Sequence, residues 1–125
     1  MTVQRKNYSA LGEPVGPYVH ATQCAGMLFL SGLTAFGTPA QGGRIADQAR
    51  AIFQQIERIA ASEGVNLTAL AKVTIFVTSF EEVDALREVL FETYGKNLPA
   101  SSLVQVAALF SADLNIEVEA VLCLG

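Results

Sequence analysis

KVTIFVT, Lys72–Thr78, decides how this chain folds. Side chains along a strand alternate with period two, so Val73, Ile75 and Val77 fall on one face and Thr74, Phe76 and Thr78 on the other. The segment before it is IADQARAIFQQIERIAASEG, Ile45–Gly64. Ile45, Ala49, Ile52, Phe53, Ile56, Ile59 and Ala60 recur there at three- and four-residue steps, with Arg50, Gln54, Glu57 and Arg58 elsewhere on the cylinder. That spacing predicts an amphipathic helix from Ile45 to Glu63, stopped by Gly64. After the strand, Glu82 to Tyr94 carries a second stripe, Val83, Leu86, Leu90 and Tyr94, ended by Gly95. A strand held between two helices connects to its neighbours by crossovers, which calls for parallel pairs in the sheet.

Further out, Tyr18–Cys24 and Met27–Ser31 read as strands joined by a tight hairpin at Ala25-Gly26. Gly32 to Gly43 is a loop of about a dozen residues, long enough in a small domain to suggest a role. Ser102–Ala107 and Asn115–Leu124 are the last two strands, expected to flank the crossovers as hairpin-linked pairs. Gly12, Pro14, Gly16 and Pro17 fill the N-terminal quarter with turns. The whole, residues 1–125, reads as one α+β domain: a mixed sheet with both helices packed on a single face.

Composition adds the other face. Hydrophobic residues make up 51% of the 125 and charged residues 16%, where about a quarter charged is usual for a soluble domain. A sheet with helices on one side only has a second side to cover. Another copy of the chain covers it at least cost, so an oligomer is expected. The net charge is −4 with no basic run, which gives nucleic-acid binding no electrostatic support. Cys24 and Cys123 are isolated in apolar stretches and read as reduced thiols of a cytoplasmic protein. The N-terminus has no signal-peptide core, and no apolar run approaches the ~20 residues of a membrane span.

Chemistry has few places to sit. In the final strand Ile116, Val118, Ala120, Leu122 and Leu124 share one face, and Glu117 and Glu119 share the other with Val121 and Cys123. A carboxylate on an inward sheet face is costly unless paired or hydrogen-bonded. Either both glutamates are solvated or bridge subunits, or one is partly desolvated and holds a water or a substrate amine. Ser31-Gly32 ends an apolar strand, where backbone N–H groups are able to receive an oxygen. His20, the only histidine, has no acidic neighbour in sequence and reads as structural; no hydrolase triad is present. Metal-ligand spacing, a phosphate loop and a dinucleotide fingerprint are absent from the sequence.

Six segments in order resemble the reactive intermediate deaminases, the Rid or YjgF family. They are GPYVHA (Gly16–Ala21), LFLSG (Leu28–Gly32), DQARAIFQQIERIAASEG (Asp47–Gly64), LAKVTIFVTSFEEVDAL (Leu70–Leu86), LPAS (Leu98–Ser101) and IEVEAV (Ile116–Val121). The resemblance implies a chorismate-mutase-like fold and a homotrimer with ligand clefts between neighbouring subunits. It also implies hydrolysis of enamines or imines to 2-keto acids and ammonia, without metal or organic cofactor. Carried over residue by residue, it implies substrate contacts at Tyr18, Ser31 and Gly32, and at Glu119 a carboxylate that orients the attacking water.

The chain departs from that pattern at the position of the arginine that grips the substrate carboxylate, which here is Ser101. Guanidinium gives a charged pair of donors and serine one neutral donor. Losing a hydrogen bond to a charged group costs roughly 1.5–3 kcal/mol, one to two decades in binding. Leu33 stands where the family often has glutamine, Arg87 where it often has asparagine, and Leu103 lies two residues past the missing arginine. Leu33, Arg87, Ser101 and Leu103 are therefore expected to shape a cleft more apolar on its gripping side. Two readings follow: a hydrolase of an imine or enamine other than 2-aminoacrylate, with Arg87 as a replacement grip or no carboxylate to hold, or a metabolite-binding or protein-interaction module without turnover. An endoribonuclease reading has poor support in so acidic a chain.

Overall fold

A computed structural model describes residues 2–125. In chain order the strands and helices are β1 (Gln4–Lys6), β2 (Ala21–Cys24), β3 (Met27–Leu33), α1 (Ile45–Ser62), β4 (Leu70–Val77), α2 (Val83–Tyr94), β5 (Ala100–Gln105) and β6 (Ile116–Cys123). The six strands form one sheet in the order β1-β2-β3-β6-β4-β5. Among the described residues only β4 and β5 pair in parallel. Since β3 and β4 are each antiparallel to β6, they run parallel to one another, and α1 is the crossover between them. The second crossover, from β4 to β5, is α2.

The α+β class and the two crossovers agree with the sequence. The expected hairpin between the last two strands does not form. After β5 the chain returns to the middle of the sheet, and β6 inserts between β3 and β4. Packing decides the placement. In β6, Ile116, Val118, Ala120 and Leu122 are all buried, whereas β5, ASSLVQ, has only Leu103 half-buried. The strand with the fully apolar alternation takes a central slot and the polar one takes the edge. At the other edge β1, QRK, was unexpected; three polar residues carry no alternation, and pairing with β2 alone defines it.

Boundaries shift for local reasons. A bend at Val15–Pro17 delays β2 to Ala21, and the amide of Tyr18 turns back to the Gly16 carbonyl, 2.9 Å away. β3 continues past Gly32 to Leu33, shortening the expected loop. The hairpin at Ala25-Gly26 forms as expected, with φ of 53° and 76°, both left-handed as a two-residue I′ turn requires.

All seven apolar residues of the α1 stripe are buried, packed on Leu28 and Leu30 of β3, Val73 and Ile75 of β4 and Val118 of β6. From α2 Leu86, Val89 and Tyr94 are buried, while Val83 and Leu90 reach only half burial. Truncating a fully buried residue such as Ile56 to alanine costs about 2–5 kcal/mol. The opposite sheet face has no helix. Phe29 and Val104 are exposed there, and Phe76 and Val121 half-buried.

One buried polar residue locks two loops together. Gln48 of α1 donates from Nε2 to the Gly43 and Asp113 carbonyls (2.9 and 3.1 Å) and accepts the Asn115 amide at Oε1 (2.9 Å). The Gly42 amide donates to the Asp113 carbonyl at 3.1 Å, and Gln41 donates to the Asp113 carboxylate. The segment from Thr34 to Arg44 is thereby tied to the segment before β6.

Candidate functional site

The site begins at an irregularity in the pairing of β3 with β6. Leu30 pairs with Ala120 and Leu33 with Val118, so Ser31 and Gly32 together oppose the single residue Glu119. Two residues against one is a β-bulge, which bends a strand and re-aims its side chains. The Ser31 hydroxyl donates to the Val19 carbonyl at 2.7 Å, and the Ser31 amide to the His20 carbonyl at 3.0 Å. Ser31 thus spends its donors on positioning the segment that carries Tyr18. Gly32 has a different task. A Cβ there would lie 2.8 Å from Glu117 Cδ, so glycine leaves room for the Glu117 side chain to lie across the bulge.

A cavity of about 580 Å³ opens beside the bulge. Of the residues singled out in the sequence, Tyr18, Ser31, Gly32, Leu33 and Glu119 line it. Leu33 is buried and presents its edge to the cavity from the core. Glu117, which the sequence offered as the alternative to Glu119, lines the cavity too, and two further groups were not foreseen as part of the site: the carboxylate Glu13 and an aromatic pair, Phe36 and Phe110. The two rings meet edge-to-face with centroids 5.2 Å apart, each on one of the loops that Gln48 ties together. Glu117 was legible as the partner of Glu119 on one strand face, whereas its seat against Gly32 depends on the bulge. Glu13, Phe36 and Phe110 lie in irregular segments where periodicity says nothing.

Burial raises the Glu117 carboxyl above its ordinary value, and the neighbouring Glu119 charge raises it further. Among the described residues, no lysine or arginine forms an ion pair with Glu13, Glu117 or Glu119. His20 also touches the cavity, but it is a structural residue. Its Nδ1 accepts the Tyr8 amide at 2.9 Å and its ring stacks on Tyr8, which leaves the neutral ring's proton on Nε2. Burial lowers its pKa, against a smaller upward pull from Glu13.

The remaining sequence candidates lie elsewhere in the chain. Arg87 is on the exposed side of α2, its guanidinium 3.7 Å from Asp84. Ser101 pairs with Val73 and Leu103 with Ile75. By strand alternation both therefore face the helix side of the sheet, at its outer edge, and Leu103 packs against the core. Glu119 pairs with Thr74, which pairs with Ser102, so Glu119 and Ser101 point to opposite faces. Within one chain the cavity and the gripping position do not meet. Among the described residues no group of three His, Cys, Asp or Glu side chains is arranged to hold a metal ion, and no helix is long and apolar enough to cross a membrane.

A mixed six-stranded sheet with two crossover helices on one face is an α+β fold shared with a solved Mycobacterium tuberculosis member of the YjgF/YER057c/UK114 family, which superposes with a TM-score of 0.79 at 25% identity over 98% of this chain and 99% of that one. The chain belongs to this Rid/YjgF family: residues 9–123 match the family model described as Endoribonuclease L-PSP. A RutC family protein of Pyrococcus horikoshii is 32% identical over 113 residues, covering 87% of this chain and 88% of that one. A 2-iminobutanoate/2-iminopropanoate deaminase of Dermatophagoides farinae is 29% identical over 112 residues, covering 87% of each. Among solved structures, the yeast protein YEO7 superposes with a TM-score of 0.88 at 27% identity over 98% of both chains.

Proposed function

We propose that the chain works as a homotrimer, its helix-free sheet faces turned toward one another, and that the cavity at the bulge forms one wall of a small-molecule cleft between subunits. The reaction is hydrolysis of an imine or enamine other than 2-aminoacrylate. The observation that carries this reading is the pair of adjacent carboxylates, Glu117 and Glu119, at one bulge with different surroundings. Glu117, half-buried and held toward its protonated form, suits a proton donor, and Glu119, exposed at the cavity, suits a base.

The steps balance without any cofactor. Glu117 protonates the imine nitrogen, and Glu119 takes a proton from the water whose oxygen adds to the carbon. In the resulting carbinolamine Glu119 passes its proton to the nitrogen, and the C–N bond breaks. Ammonia leaves, the C=O forms, and the hydroxyl proton returns to Glu117. Tyr18 and the Phe36–Phe110 pair border the cavity.

Ser101 argues against carboxylate-bearing substrates. The test compares 2-aminoacrylate, made in situ by a serine dehydratase, with carboxylate-free imines made in situ by an amine oxidase. The expected result is accelerated ammonia and carbonyl release from the second set and none from the first. Acceleration of 2-aminoacrylate hydrolysis would refute the substrate assignment. If no imine is hydrolysed faster than in buffer, the second reading, a binding module without turnover, replaces the enzyme.

A further inference from the structure

The cavity wall has a charge and a surface that together select a ligand. Glu13, Glu117 and Glu119 place three carboxylates on it, and Tyr18, Phe36 and Phe110 place three aromatic rings. In the single chain the rings are exposed by 45%, 48% and 63%. No lysine or arginine is among the lining residues. His20, which is, has its Nδ1 occupied as an acceptor. Aromatic faces carry negative charge density and attract an ammonium within about 6 Å of the ring centre. Anions meet like charge at the same wall, with no donor fork to hold them.

We infer that this cavity recognises a cationic amine or iminium bearing an apolar group, the charge held among the carboxylates and the apolar part against Phe36 and Phe110. The inference rests on reading the cavity as the ligand site but does not require turnover. In the proposed trimer, where the gripping position of a neighbouring chain would complete the cleft, serine at 101 adds no guanidinium to repel a cation. The loop anchorage adds support. Gln48, with no measurable exposure, and the Gln41–Asp113 contact hold the two phenylalanine-bearing segments together before any ligand arrives, so little ordering accompanies binding.

Isothermal titration of the intact protein with three probes of similar size and different charge tests this: benzylammonium, benzyl alcohol and benzoate. Benzylammonium should bind at least about tenfold more tightly than benzoate, with benzyl alcohol between them. Phe110→Ala should weaken benzylammonium by about threefold or more, and Glu13→Gln should weaken it while leaving benzyl alcohol unchanged. The melting temperatures of both variants show whether they fold. Benzoate binding as tightly as benzylammonium, no binding of benzylammonium, or benzylammonium affinity untouched in both variants would each overturn the inference. Failure here is separable from failure of the proposed reaction. Cation preference without hydrolysis leaves the inference standing alone, and hydrolysis with anion preference leaves the reaction standing alone.

Discussion

Glu63 and Glu117 are the same residue in two settings. Glu63 follows α1, where its carboxylate takes two hydrogen bonds from Lys6 Nζ, at 2.9 and 3.1 Å, and one from the Tyr8 hydroxyl at 2.7 Å. Burial alone would raise its pKa, but the Lys6 and Tyr8 hydrogen bonds and the Lys6 charge outweigh burial and hold it below the ordinary value. The Tyr8 hydroxyl is pushed up, by burial first and then by the carboxylate beside it. Glu117 is also withdrawn from water but faces only another glutamate, and its pKa moves the opposite way. Among the described residues the chain supplies partners for one carboxylate and none for the other, and the two shift in opposite directions. Buried charge without compensation is costly, and such cost gathers at working sites.

The contrast breaks most visibly at Glu119. Glu119→Gln keeps the shape and removes the base, and hydrolysis of any accepted imine should fall by about 100-fold or more, with the melting temperature unchanged. Next is the structural carboxylate. Glu63→Gln should cost about 1–2 kcal/mol at neutral pH, since it removes charge-assisted hydrogen bonds to partly exposed partners. A group whose folded pKa is depressed contributes stability above its unfolded value and loses it as pH falls through the folded one. The Glu63→Gln deficit, read from urea unfolding, should therefore shrink on acidification below about 4.5, the ordinary value.

Gly32→Ala sharpens the reactive half. The added Cβ meets the Glu117 carboxyl, which must swing off the bulge. A loss of activity near tenfold with little loss of stability is expected, whereas unchanged kinetics would remove Glu117's seat from the mechanism. Glu117→Gln is the mildest change for stability. Its folded pKa is raised, so the ionised form opposes folding, and that penalty grows as pH rises from the unfolded value through the folded one. The variant should melt slightly higher than the parent at neutral pH and no higher below about 4.5, as differential scanning calorimetry would show.

What could be read from the sequence follows the same division. Regular segments spoke through their periods: the α1 stripe, the KVTIFVT alternation and the two faces of IEVEAV all place their residues as expected. Topology did not, because the position of β6 depends on comparing its apolar face with that of β5, a choice made in three dimensions. Tyr18, Ser31, Gly32, Leu33 and Glu119 come together because four of them lie on or beside the bulge, and Ser31 anchors the segment of the fifth. Phe36, Phe110 and Glu13 were not singled out, since loops have no period, and the convergence of the two phenylalanines depends on Gln48. Arg87, carried over from the resemblance rather than from any period, lies within the single chain on the exposed side of α2 beside Asp84.

The most direct test of the account is a site-resolved carboxyl titration of both glutamates in one sample, with ¹³C-labelled protein followed by NMR. The account predicts that Glu63 titrates below 4.5 and Glu117 above it. Glu117 titrating at or below that value would mean that its charge is compensated, and the bulge would then hold no carboxylate set apart for chemistry.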